Sequence, residues 1–283
     1  MVNPTSRRFI QVDVFSPRPT QGNALAVVVD GHGLSDVQCQ RFAAWTNLAE
    51  TTFLLPPSDA RADYKVRIFT PIREMPFAGH PTLGSCAAWL HAGGQPKQDR
   101  VVRQECGVGL IDIEVGPDTL AFAAPPTIIE PMSAQQFSAI TSRLDIPAHA
   151  VVRTAQLNNG PVWQAFQLAC ADDVLAIDSS RVRWPAFKSI GFIGPHLSGA
   201  PCDFEVRMLA PSSGMREDPI TGSLISALAS WMRADGRLAG PISIAQGTRI
   251  ARYGRVAVRP DEASNRIFIG GHTHILIDGT VLL

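Results

Sequence analysis

The stretch His80-Pro81-Thr82-Leu83-Gly84-Ser85-Cys86-Ala87-Ala88-Trp89-Leu90 recurs in altered form as Asp218-Pro219-Ile220-Thr221-Gly222-Ser223-Leu224-Ile225-Ser226-Ala227-Leu228. Each copy places an ionisable residue before Pro, then two residues, Gly-Ser and an apolar run. The copies lie about half the chain apart. This repeat predicts two similar lobes, each with a central helix that starts beside a titratable group. Proline suits a first helical position, where its missing N–H is not needed. The free N–H groups and the dipole of a helix N-terminus attract an anion. Two such termini facing one another would clamp a small acidic substrate, with His80 and Asp218 beside it. The helices are expected at about Pro81–His91 and Pro219–Arg233. Both carry small and apolar residues on several faces, which marks them as buried.

A chain of 283 residues suits two lobes better than one core. Hydrophobic residues make up 45% and charged residues 18%, the balance of a packed globular protein. Lys plus Arg equals Asp plus Glu at 25 each, so no basic excess recruits nucleic acid or an acidic membrane surface. Any functional anion must be recognised locally. Cys39, Cys86, Cys106, Cys170 and Cys202 form no C-x-x-C pair, and their odd number argues against a disulfide framework or zinc ribbon. Reduced thiols fit a cytoplasmic protein. Met1 to Phe9 is polar and basic without a secretory core, and no window approaches a membrane span.

Outward from the two helices, Phe9–Phe15 alternates as a half-buried strand does, and Ala24–Val29 reads as a short apolar strand. Ser35 and Gln38 have capping-box spacing and open a helix to about Trp45. Further strands are expected at Ala49–Leu55 and Tyr64–Phe69, with a hairpin of Cys106–Val115 and Thr119–Ala123 around Gly116-Pro117. Ala124-Pro125-Pro126 interrupts any continuing element. It divides a first lobe, 1–123, completed by a last strand at about 274–283, from a second lobe, 124–273. In that second half a helix is expected at Ser133–Leu144. Strands follow at Gly160–Leu168, Phe204–Leu209, Ile242–Ala245, Arg255–Arg259, Arg266–Ile269 and His274–Ile277. Strands mixed with few helices, without regular βαβ alternation, predict an α+β fold in which each sheet wraps its central helix.

Each candidate residue has a plain structural reading beside its functional one. Glu50, in the apolar run Leu48–Leu55, is either a strand-edge carboxylate facing water or an enclosed one. Enclosure would raise its pKa and suit it to general acid/base work. His80 caps or packs, or it faces a substrate. Asp218 suits an N-cap, and Glu217 reads as solvated. Gly79, Gly222 and Ser223 offer N–H groups and a hydroxyl, although glycine can serve close packing alone. Glu74 braces the loop or His80. His272-Thr273-His274 shares a strand face between its two imidazoles, but spacing supplies no third metal ligand. Gly107-Val108-Gly109 is no dinucleotide fingerprint, and Gly-x-Ser-x-Gly is absent.

Several segments together resemble the phenazine-biosynthesis isomerase (PhzF-like) family, itself similar in fold to the diaminopimelate epimerases. They are Val12-Asp13-Val14-Phe15, Gly22-Asn23-Ala24-Leu25-Ala26-Val27-Val28, Asn47-Leu48-Ala49-Glu50-Thr51-Thr52-Phe53, Pro76-Phe77-Ala78-Gly79-His80-Pro81-Thr82-Leu83-Gly84, Glu217-Asp218-Pro219-Ile220-Thr221-Gly222-Ser223 and Gln246-Gly247. The resemblance implies two lobes, each a sheet curled as a barrel around a central helix, with the site between them. It also implies a homodimer and no cofactor or metal. The implied activity is isomerisation of a small anionic cyclic amino or hydroxy acid of the trans-2,3-dihydro-3-hydroxyanthranilate kind. Glu50 matches the catalytic glutamate, and His80, Asp218 and Ser223 match the other polar site positions. The family often has Ser before this glutamate where the chain has Ala49, which removes a hydroxyl near Glu50. It often continues Gly-Ser with Ala-His where the chain has Leu224-Ile225, which changes the helix wall beside the pocket.

The related epimerases use a thiol at each central helix start. This chain has Gly79-His80 and Asp218 there, and Cys86 lies about 9 Å further along the helix. That leaves an isomerase using Glu50, a racemase or epimerase using non-thiol bases, and a non-catalytic binding protein on the same fold.

Overall fold

The computed structural model describes residues 4–283; Met1–Asn3, part of the basic N-terminal stretch, lie outside the described residues. The first lobe runs β1 (Ser6–Val14), β2 (Asn23–Val28), α1 (Asp36–Thr46), β3 (Glu50–Leu55), β4 (Tyr64–Phe69), β5 (Glu74–Met75), α2 (Gly79–His91), β6 (Val101–Cys106), β7 (Gly109–Val115) and β8 (Thr119–Ala123). The second runs β9 (Ile128–Glu130), α3 (Ala134–Leu144), β10 (Val151–Asn158), β11 (Val162–Leu168), α4 (Ala171–Ala176), β12 (Ile190–Pro195), β13 (Phe204–Leu209), β14 (Glu217–Asp218), α5 (Gly222–Ala234), β15 (Ile242–Gln246), β16 (Gly254–Asp261) and β17 (Arg266–Leu282). The fold is α+β. Two similar lobes each curl a mixed sheet around a central helix.

The likeness is written in the strand pairing. Parallel β2·β3, antiparallel β3·β4, parallel β4·β6 and antiparallel β6·β7 are matched by β11·β12, β12·β13, β13·β15 and β15·β16 in the same senses. β17 joins the lobes. Its first residues pair with β16 and β8, and Thr273–Leu282 pair with β1, which closes the first sheet into an eight-strand barrel. The separate strands expected at Arg266–Ile269 and His274–Ile277 are one element, because a strand that changes partners midway needs no break.

Both central helices are buried as their composition predicts. Leu224, Ile225 and Leu228 on α5 and Leu83 and Cys86 on α2 have no exposed surface. Each such Leu or Ile contributes roughly 1.5–3 kcal/mol of burial. The capping box at Ser35 forms as read, and Ser133 forms a second one with Gln136. Cys106 ends β6 rather than opening the hairpin, whose first strand starts at Gly109. The strands at Val101–Cys106, Val151–Asn158 and Ile190–Pro195 escaped the sequence reading.

The helix starts differ from expectation. α2 begins at Gly79, so Pro81 is its third residue, still within the first turn where N–H groups lack intrahelical partners. α5 begins at Gly222, and Pro219 lies outside it. The repeat is real, but its register is not the one the shared Pro-x-x-Gly-Ser suggests. Arg67 on β4 pairs with Glu74 on β5 as Arg207 on β13 pairs with Glu217 on β14. Three residues then separate Met75 from Gly79, and three separate Asp218 from Gly222. Glu74-Met75-Pro76-Phe77-Ala78-Gly79-His80 is therefore the counterpart of Glu217-Asp218-Pro219-Ile220-Thr221-Gly222-Ser223. His80 corresponds to Ser223, not to Asp218.

Candidate active site

The two helix N-termini meet between the lobes. A Cβ added to Gly79 would lie 2.5 Å from the backbone nitrogen of Ser223 and 2.6 Å from the carbonyl carbon of Gly222. Glycine at Gly79 is thus a condition of the close approach. Gly79→Ala is expected to wedge the termini apart, costing about 1–3 kcal/mol of stability by overpacking and lowering affinity for a small acid. Thermal melting with a ligand titration checks both. Unchanged binding in a folded variant would show that the termini need not touch.

Glu50, Gly79, His80, Asp218, Gly222 and Ser223 line one cleft at this junction. Ser189, immediately before β12 at the position that mirrors Glu50, faces it too. The Glu50 Oε2 and His80 Nε2 atoms lie 3.4 Å apart, and both are buried without a hydrogen-bond partner among the described residues. Glu50 opens β3, and His80 sits on the first turn of α2. Burial raises the Glu50 pKa well above the ordinary carboxylate value, and the Asp218 charge raises it further. Burial lowers His80 to about 3, so its imidazole is neutral in any ordinary buffer. Asp218 is pushed up to about 6 by burial, against hydrogen bonds from Thr221 and Asn23 that favour its anion.

Asp218 is not an N-cap. It lies on β14, and Thr221 occupies the cap position without a side-chain cap bond. The Thr221 hydroxyl donates to Asp218, and the Thr221 N–H donates to Gln246 Oε1 at 2.9 Å. Gln246 Nε2 in turn donates to the Asp218 carbonyl at 3.1 Å. Glu217 is not solvated; it is 3% exposed and bound to Arg207. Glu74 braces Arg67 on β4, at 2.7 Å, rather than His80. Leu224 and Ile225 pack inside their curled sheet rather than beside the cleft, and Leu224 packs on Gly191. Ala49 is buried next to Glu50.

Three side chains that the sequence reading left out of the site belong to its polar framework: Asn23, Gln246 and Asn159. Asn159 Nδ2 donates to the Ser223 carbonyl at 2.8 Å and fixes the start of α5. Asn23 and Gln246 belong to the family-like segments Gly22–Val28 and Gln246-Gly247, so a signal for them existed. Asn159 had none. The five cysteines lie elsewhere, and burial raises the Cys86 thiol far above its ordinary value. His274 is engaged by the Ser16 carbonyl at 2.9 Å. A wider groove between β8, β16 and β17 carries Arg255 and Arg259, but its carboxylate, Glu114, is tied to Arg259.

An enclosed carboxylate, a neutral imidazole and a second carboxylate line one cleft at a meeting of helix N-termini, an arrangement chemically able to give and take a proton. With the two-lobed α+β fold, this places the chain among enzymes of the isomerase class. The chain belongs to the phenazine-biosynthesis-like (PhzC-PhzF) family, whose model matches residues 12–279, and it is an isomerase. It is 35% identical to antisense-enhancing sequence 1 of Schizosaccharomyces pombe, over 97% of this chain and 98% of that one. It is 28% identical to the trans-2,3-dihydro-3-hydroxyanthranilate isomerase of Pseudomonas fluorescens, over 97% and 99%. The PhzF-family structure from Bacillus anthracis superposes with a TM-score of 0.80 at 21% identity, covering 99% of this chain and all of that one. Among the described residues no helix is long and apolar enough to cross a membrane.

Proposed function

We propose that this chain is a cofactor-independent isomerase of a small cyclic amino or hydroxy acid of the trans-2,3-dihydro-3-hydroxyanthranilate kind, working as a homodimer. The N–H groups at the starts of α2 and α5 hold the substrate carboxylate. Glu50 takes a proton from one ring carbon and returns it to another as the double bond moves. His80, Asp218 and Ser223 orient the polar substituents. The observation that carries this reading is the buried, unpartnered Glu50 oxygen facing His80 in the cleft. A carboxylate shielded from water keeps its abstracted proton long enough to return it, and preorganised dipoles stabilise the charge that develops.

The test is proton NMR of trans-2,3-dihydro-3-hydroxyanthranilate in D₂O with the wild-type protein. Conversion with part of the migrating hydrogen retained is expected. A folded protein that converts none of it would remove this substrate class. A second reading, exchange at one stereocentre between opposed bases, draws support from Glu50 and Asp218 lining the same cleft from different lobes, where the Asp218 charge raises the Glu50 pKa. It requires deuterium uptake at the stereocentre of some amino acid.

The same coupling predicts a pH effect. The acid limb of kcat/KM reports the essential base of the free enzyme. Asp218 raises the Glu50 pKa through its negative charge. Asp218→Asn removes that charge and moves the acid limb to lower pH, along with any loss of turnover. A limb that stays in place, measured across the profile, would show that Glu50 does not set it.

A further inference from the structure

Asn23 touches polar site residues from both lobes. It is the first residue of β2 and 1% exposed. Its backbone is fixed by pairing opposite Val14. The preceding Gly22 leaves no freedom, since a Cβ there would lie 2.3 Å from the Val14 carbonyl oxygen. The Asn23 Nδ2 atom lies 2.9 Å from the Ile220 carbonyl oxygen, 3.2 Å from Asp218 Oδ1 and 3.2 Å from His80 Nδ1. A backbone carbonyl only accepts, so the amide nitrogen, and not its oxygen, occupies this side of Asn23. One hydrogen goes to Ile220. The other is shared between Asp218 and His80.

His80 Nδ1 thus faces a donor, which favours the tautomer in which it accepts, against the Ala24 backbone hydrogen bond that favours a protonated ring. A neutral imidazole carries one proton, and it then resides on Nε2. Nε2 is the atom 3.4 Å from Glu50 Oε2. We propose that Asn23 is a positioning residue that holds His80 as the Nε2–H tautomer and so aims a donor at Glu50 and the reacting atoms. In the other tautomer a bare lone pair would oppose the Glu50 carboxylate. The consequence for turnover rests on the isomerase reading above; the tautomer does not.

The experiment is long-range proton–nitrogen NMR of the imidazole rings in the substrate-free, ¹⁵N-labelled protein near neutral pH. His80 is assigned among the seven histidines by comparison with His80→Gln. A pyrrole-like Nε2 and a pyridine-like Nδ1 are expected in the wild type. Asn23→Ala should give a mixed tautomer. Asn23→Asp, which replaces donor with acceptor, should draw the proton to Nδ1. With the dihydroanthranilate substrate, Asn23→Ala should lower kcat about 100-fold and leave KM within a few-fold, as misorientation of a reacting group does. A wild-type ring protonated on Nδ1 overturns the proposal without any variant. So does an Asn23→Ala ring unchanged from wild type. Failure of the substrate assay with the expected tautomers would instead count against the isomerase reading.

Discussion

Glu50→Gln is expected to lower turnover of the dihydroanthranilate substrate about 10³–10⁴-fold while leaving substrate binding nearly intact. The amide keeps the shape of the carboxyl but cannot take a proton from carbon, and positioned general-base catalysis is worth about 10²–10⁴-fold. In the proposed reaction the same group both takes and returns the proton, which places the loss toward the upper end. The variant should also melt higher than wild type at neutral pH. Burial makes the native Glu50 hold its proton to higher pH than the unfolded chain does. The native state thus loses stability as pH rises from the unfolded carboxylate range, about 4, through the folded pKa. The amide has no proton to lose, so the advantage exists above that window and vanishes in acid. Proton NMR in D₂O and melting curves at two pH values check both halves. Full turnover by the variant would rule out Glu50 as the base.

Glu217→Ala is expected to cost about 3–5 kcal/mol, the penalty for leaving one partner of a buried ion pair uncompensated. Arg207 is 1% exposed. It is bound by both Glu217 oxygens, at 3.0 and 2.6 Å, and it donates to the Val174 and Ile177 carbonyls at 3.0 and 2.6 Å. Its charge cannot reach water when Glu217 is removed. Glu217 also anchors β14, so Asp218 should lose its place and activity should fall with stability. The mirror pair supplies the control. Arg67 and Glu74 are 22% and 44% exposed, and Arg67 retains Asp36 at 2.8 Å. Glu74→Ala is therefore expected to cost about 1 kcal/mol or less. Urea denaturation of the two variants measures the contrast, and equal losses would contradict it.

The contrast shows how far the sequence could be read. Arg67…Glu74 and Arg207…Glu217 are equivalent pairs across loops of different length, seven positions apart in the first half and ten in the second, yet one pair is half-exposed and the other buried. The difference in spacing does not reveal which pair is buried, because burial depends on what covers them. Over Arg207 that cover is α4 and its following loop, which supply carbonyl acceptors. Glu217 therefore read as solvated. The duplication itself was legible, but matching Pro-x-x-Gly-Ser paired His80 with Asp218. Pairing of β4 with β5 and of β13 with β14 sets the register that aligns His80 with Ser223.

The sequence by itself determined the two-lobed α+β fold, the buried character of both central helices and the membership of Glu50, His80, Asp218, Ser223, Gly79 and Gly222 in one cleft. The buried helices and the two-lobed plan follow from apolar periodicity and the repeated motif, whereas the place of Glu50 in the cleft follows from the resemblance to the isomerase family. Only the tertiary structure decided the orientation of those groups. Asn23 reaches across to Asp218 and Ile220, Gln246 holds Thr221 and Asp218, and the Gly79 and Gly222 backbones touch. Each of these contacts joins segments far apart in the chain. Hydrogen-bond direction and displaced pKa values arise from such contacts and from the exclusion of water, which no local pattern records.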